Sequence, residues 1–127
     1  MAITQVELAS PPSLFAFQDT AMGATVDAVK SSSALVYGIS INNSGNGSVP
    51  SYVKLYNLAS GSVIVGTTPP DEIIYVPAGA IVSRAFYTGV LAGVTFATAL
   101  SAVCVTTGGT AGVTAPISSV SVTINYV

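Results

Sequence analysis

Bulky apolar residues recur at every second position over most of this chain. In residues 35–41, LVYGISI, the odd positions Leu35, Tyr37, Ile39 and Ile41 are large and the even ones mostly small. A period of two is what a strand with one buried face requires, because successive side chains point to opposite sides of the pleat. Residues 52–57, YVKLYN, alternate again, and NNSGNGSVP at 42–50 concentrates residues that favour turns. The pattern predicts two strands joined by an exposed loop. A turn at 59–61 leads into a short strand over 62–65. Beyond the breaker at 66–70, strands are expected at 72–76 and 81–86, separated by Pro77, Ala78 and Gly79. Residues 94–106, rich in Val, Thr and Ala, read as one long β segment, and 117–126 as the last strand. There Val120, Val122, Ile124 and Tyr126 share one phase, and Ser119, Ser121, Thr123 and Asn125 the other.

No segment carries helical periodicity over three turns. The ambiguous stretch 15–30 contains Ala21, Met22, Gly23 and Ala24, a poor helix interior. About eight short strands, with turns roughly every ten residues, predict an all-β fold, an antiparallel β-sandwich of jelly-roll or immunoglobulin-like type. Its expected core is Leu35, Ile39, Ile41, Leu55, Ile74, Phe86, Phe96, Val122 and Ile124. Residues 1–30 differ, holding Glu7, Asp19, Asp27 and Lys30 together with Pro11 and Pro12. They are expected to form a short N-terminal arm or an edge strand, ahead of a sandwich domain over 31–127.

Composition sharpens this picture. Charged residues make up 6% of the 127 positions and apolar ones 50%, against about 25% charged in an ordinary soluble domain. Such a chain cannot supply the charged, patch-free surface that keeps a monomer apart from its neighbours. Much of its surface is therefore expected to be covered by other protein, in a homo-oligomer, a trimer above all, or in a larger assembly. The three basic residues, Lys30, Lys54 and Arg84, are scattered. They provide no patch for a phosphate backbone and no polybasic membrane anchor, so neither nucleic acid nor membrane is an expected partner. Residues 1–13 have neither the basic start nor the apolar stretch of a secretory signal, and the expected place of synthesis is a reducing cytoplasm.

Candidate chemistry is sparse. With no histidine there is no Ser-His-Asp triad and no imidazole zinc ligand. Cys104, the single cysteine, lies in LSAVCVTT, where a small apolar thiol fills a strand core; a reactive thiol needs an adjacent base or cation. Asp71 and Glu72 are the sole acidic cluster. They read as a solvated loop, the alternative being part of a Ca²⁺ site, which takes several oxygen ligands. Asp19 and Asp27 look too isolated to work as an acid/base pair. Gly108, Gly109 and Gly112 lack the lysine and helix of a phosphate loop and read as a flexible connector. Tyr37, Tyr52 and Tyr56 are assigned to core or interface packing, with stacking on sugar rings as the alternative. No catalytic, metal-binding or cofactor-binding residue is assigned, and an enzyme is not expected.

Residues 35–127 resemble the small β-sandwich virion proteins of tailed bacteriophages, the capsid decoration (cement) proteins and related head or tail surface proteins. The resemblance rests on YVKLYN at 52–57, VPAGA at 76–80, RAFYTG at 84–89 and VSVTINY at 120–126. It implies a non-enzymatic structural protein of the virion that assembles on the major capsid protein or other virion proteins, commonly as trimers at symmetry axes. It brings no cofactor. The alternatives are a tail or baseplate component and a sugar-binding adhesin module.

Overall fold

The computed structural model describes residues 14–88 and 91–127. Nine strands form two antiparallel sheets, a β-sandwich. The first sheet holds β1 (Phe15–Met22), β3 (Ala34–Asn42), β6 (Ile81–Ala85), β9 (Val94–Phe96) and β11 (Val120–Tyr126). Its order is β1-β11-β3-β6, with β9 pairing the start of β3. The second sheet runs β2 (Asp27–Lys30), β10 (Leu100–Val105), β4 (Ser51–Tyr56), β5 (Glu72–Val76). A two-stranded ribbon, β7 (Tyr87–Thr88) and β8 (Leu91–Ala92), lies in the chain between β6 and β9.

The period-two pattern places the core. Ile39 and Ile41 of β3, Val122 and Ile124 of β11, Val53 and Leu55 of β4, and Ala102 and Cys104 of β10 form one buried cluster between the sheets. Each large aliphatic chain there contributes about 1.5–3 kcal/mol of transfer free energy. Of the expected core, Ile74, Phe86 and Phe96 are buried as well. Leu35 is not. A β-bulge explains this: Gly38 pairs with Asn125, but Val36 rather than Tyr37 pairs with Tyr126. The extra residue, Tyr37, reverses the phase of β3, so Ala34 and Val36 turn inward and Leu35 packs over Gly93 on the other side. Gly93 has φ +121°, and a Cβ there would lie 2.6 Å from the Leu35 Cδ1, so only glycine suits this crossing.

Three further expectations need correction. The long segment 94–106 is broken at 97–99, where the chain leaves the first sheet as β9 and enters the second as β10. Residues 62–65 are not a strand. A 3-10 turn at Ser60–Ser62 takes in the first of them, and Val63 packs on Tyr56 and Val103 in a second, smaller cluster on the outer side of the second sheet. The loop 42–50 is not simply exposed, because Asn43 and Asn46 are buried. Asn43 Nδ2 donates to the carbonyls of Val49 and Pro77, and its Oδ1 accepts from Asn46 Nδ2 and Ser51 Oγ. Asn46 also donates to the Ser118 carbonyl and accepts from the Ser118 amide. Three loops are thereby fastened at one end of the sandwich, each buried polar group finding a partner as burial demands.

The segment before Ser31 supplies two edge strands, β1 in one sheet and β2 in the other. Pro11, Pro12 and Glu7, on which the arm expectation also rested, lie outside the described residues.

Candidate functional site

The two sheets present different outer faces. On the second sheet, β4 is buried on both sides: Val53 and Leu55 face the core, while Lys54 and Tyr56 lie under the loops of the opposite face. Lys54 is sealed from solvent, and its Nζ donates to the Gly112 carbonyl at 3.1 Å. Gly112 is itself buried, in a turn so tight that a Cβ would collide with the Thr107 carbonyl. The glycine-rich stretch expected as a flexible connector is thus packed down as a cover over β4.

Among the described residues, the outer face of the first sheet has no such cover. Strand register sets out three rows across it: Gln18–Thr123–Ser40–Ser83, then Ala16–Asn125–Gly38–Ala85, then Ser121–Asn42–Ile81. Their inward neighbours, such as Val122, Ile124, Ile39 and Ile41, are buried; the row residues are exposed or half-buried. None of these eleven residues is charged. Hydroxyl and amide groups dominate, and the Ser83 hydroxyl lies 3.4 Å from that of Ser40. At the Gly38 row the face sinks into an open groove of about 470 Å³, lined among others by Leu14, Tyr37, Ser40, Ser83, Arg84 and Asn125. Ile81 at the rim is 64% exposed. Such a face offers neutral donors and acceptors with a few apolar contacts, and the one charge at its groove, Arg84, is paired with Glu72, so it can be covered without stranding an unpaired charge.

The residues singled out in the sequence are distributed as follows. Asp71 and Glu72 diverge: Asp71 accepts the Asn57 amide through Oδ2, and Glu72 pairs with Arg84 at 3.2 Å. Cys104 lies in the core, where burial pushes its thiol up to about 11 despite an opposing hydrogen bond from Ser51. Tyr56 is fully buried, which raises its phenol, and its hydroxyl has no hydrogen-bond partner among the described residues. Tyr52 stacks on Tyr75 with ring centroids 5.3 Å apart. Of the three tyrosines weighed for sugar stacking, only Tyr37 lines the groove.

Asp19 and Asp27, which looked too isolated to pair, are brought together. Asp19 pairs with Val122 of the first sheet and Asp27 with Ala102 of the second, both partners belonging to the core. The two carboxyls therefore meet inside the β1/β2 edge, within hydrogen-bond reach. Burial first, then the Asp19 contact, raises Asp27 to about 7. One signal was available: Asp19 is in phase with Phe17, and Asp27 with Val29, so each acid occupies the apolar phase of its strand. Among the described residues no group of three or more His, Cys, Asp or Glu could hold a metal ion.

Neither the protein-family models, nor the curated proteins, nor the solved structures searched give a match to this chain.

Proposed function

We propose that this chain is a structural protein of a bacteriophage virion, a capsid decoration protein that acts by binding and not by catalysis. The observation that carries the proposal is the uncharged outer face of the first sheet, eleven residues in three rows without a single charge. A protein that works as a cement buries such a face against a neighbour. Hydroxyl and amide groups suit that use, since they exchange hydrogen bonds with water for hydrogen bonds with protein at little net cost, whereas an unpaired buried charge is expensive. The partner in this reading is the major capsid protein, with copies of this chain meeting as a trimer.

The experiment is to purify particles and measure the chain's copy number and position by mass spectrometry and electron microscopy. Stoichiometric copies on the head, and a lower temperature of genome release after stripping, support the proposal. A tail or baseplate position moves it to another part of the same particle, and absence from particles overturns it. The second reading is a module that binds a neutral glycan. It is favoured by the groove, where Tyr37 stands beside Ser40, Ser83 and Asn125. A glycan screen with Asn125→Ala as the control tests it.

A further inference from the structure

The Asp19–Asp27 contact has a chemistry of its own, independent of what the outer face binds. Two carboxyls within hydrogen-bond reach cannot both be ionised comfortably, and a proton held between them converts repulsion into a hydrogen bond. The position of that proton follows from the neighbours. Asp19 Oδ1 accepts the Ala21 amide at 2.8 Å, so that carboxyl is already committed as an acceptor. Asp27 Oδ2 is buried and has no hydrogen-bond partner among the described residues. Asp19 is therefore the acceptor and Asp27 the acid that donates to it.

Among the described residues no cation is placed to take over the proton's role. On β2, Lys30 lies three residues from Asp27, past the bulge at Leu100 and Ser101, and outside ion-pair distance of both carboxylates. The titratable groups on the strands packed against the pair are Cys104 of β10, held as a thiol by burial, and Tyr126 of β11, at the other end of its strand. Lys54 of β4 is turned to the opposite face of its sheet and bonded to Gly112. Arg84, at the far edge of the sandwich, is paired with Glu72.

We propose that Asp19 and Asp27 form a proton-operated latch between the two sheets, closed while they share one proton and opened at the β1/β2 edge when that proton is lost. The sign follows from linkage. Asp27 sits near 7 in the folded chain and near 3.8 when free, so between those values the folded state holds a proton that the unfolded state has released. Stability from this pair is fully present below about pH 4, declines as pH rises, and is lost above about 7. The register already shifts between Asp19 and Met22 of β1, so the strand has a weak point next to the latch.

The test is a carboxyl-carbon NMR titration of the whole chain, with amide-exchange protection of β1 measured at pH 5.5 and pH 8.5. The Asp27 resonance should titrate with a midpoint near 7, and β1 protection should drop at least tenfold at the higher pH, relative to β3. Asp27→Asn keeps a donor to Asp19 without a titrating proton and should make β1 protection independent of pH. Lys30→Met should leave the midpoint in place. Asp27 titrating below pH 5, or an unchanged pH response in Asp27→Asn, would overturn the latch. If that variant failed to fold, the wild-type titration would decide alone.

Discussion

Arg84 of β6 reaches Glu72 of β5 at 3.2 Å, tying the edge of the first sheet to the edge of the second. The Arg84 guanidinium also lies 5.0 Å from the centre of the Phe86 ring. At the opposite edge the equivalent position is taken by Asp19 and Asp27. The sandwich is thus closed at one edge by an ion pair and at the other by two carboxyls within hydrogen-bond reach. The first closure should be indifferent to pH around neutrality and sensitive to salt, the second the reverse.

Arg84→Ala should therefore cost little. The pair is partly exposed, at 47% for the Arg84 side chain and 27% for that of Glu72, and exposed ion pairs contribute about 0.2–1 kcal/mol. With the cation–π contact, an additional loss of about 0.5 kcal/mol is reasonable. A double-mutant cycle with Glu72→Gln, run in urea at low and high salt, should give a coupling below about 1 kcal/mol that shrinks with salt. A coupling above 3 kcal/mol would mean the pair is screened from water far more than its exposure allows.

Which strands exist, and which face of most of them is buried, could be read from alternation alone, because burial on one side imposes period two. Alternation fails where that premise fails. Leu35 carries the same sequence phase as Ile39, yet the bulge at Tyr37 separates them, and a bulge leaves no signature when the residues on both phases are apolar. The burial of Lys54 was not legible, because nothing in YVKLYN announces that distant loops cover that face. Asn43 and Asn46 looked like turn residues, which they are, but their side chains also serve as internal fasteners. The meeting of Asp19 with Asp27 depends on two sheets packing edge over edge, which no local pattern encodes.

The corrected register makes a comparison. Ile39→Ala removes a fully enclosed side chain, 2% exposed, and should cost about 2–5 kcal/mol. Leu35→Ala removes a half-buried one and should cost about 1 kcal/mol. Urea midpoints of the two variants provide the check. Equal losses would place Leu35 back in the core and remove the bulge.

The asparagine hub predicts an outsized effect from a loop position. Asn43→Ala takes a donor from the Val49 and Pro77 carbonyls and the acceptor from Ser51 Oγ, while the Pro77 carbonyl keeps the Ala80 amide and Asn46 Nδ2 keeps the Ser118 carbonyl. An orphaned buried group costs about 1–3 kcal/mol, and Ser51 Oγ is the buried group left without its acceptor, so the variant should lose about 1–3 kcal/mol. Ser44→Ala, one residue along and exposed, should change stability by less than about 0.5 kcal/mol. Similar melting temperatures for the two would show that the loop ends are not held by Asn43.

Lys54 supplies the last prediction. Among the described residues its ammonium has one acceptor, the Gly112 carbonyl, and no carboxylate. Burial lowers its pKa from the ordinary 10.5, because the charged form gives up more hydration than one carbonyl returns. For a base depressed in the folded state, the unfolded chain binds more protons between the two values. The stability that Lys54 contributes therefore rises with pH and is complete only above about 10.5. Lys54→Met keeps the length of the chain and removes the charge, but it orphans the Gly112 carbonyl. At pH 7 these opposed changes should leave the variant within about 1 kcal/mol of wild type. As pH rises towards 10.5 the wild type sheds the penalty of a buried cation, so the same variant should look less stable by comparison at pH 10 than at pH 7. Urea denaturation of both proteins at pH 7 and 10, in an Asp27→Asn background to silence the other titration, isolates this slope. A stability difference that stayed constant with pH would mean that Lys54 remains protonated in the fold, with water or a moving loop supplying the acceptors that Gly112 alone does not.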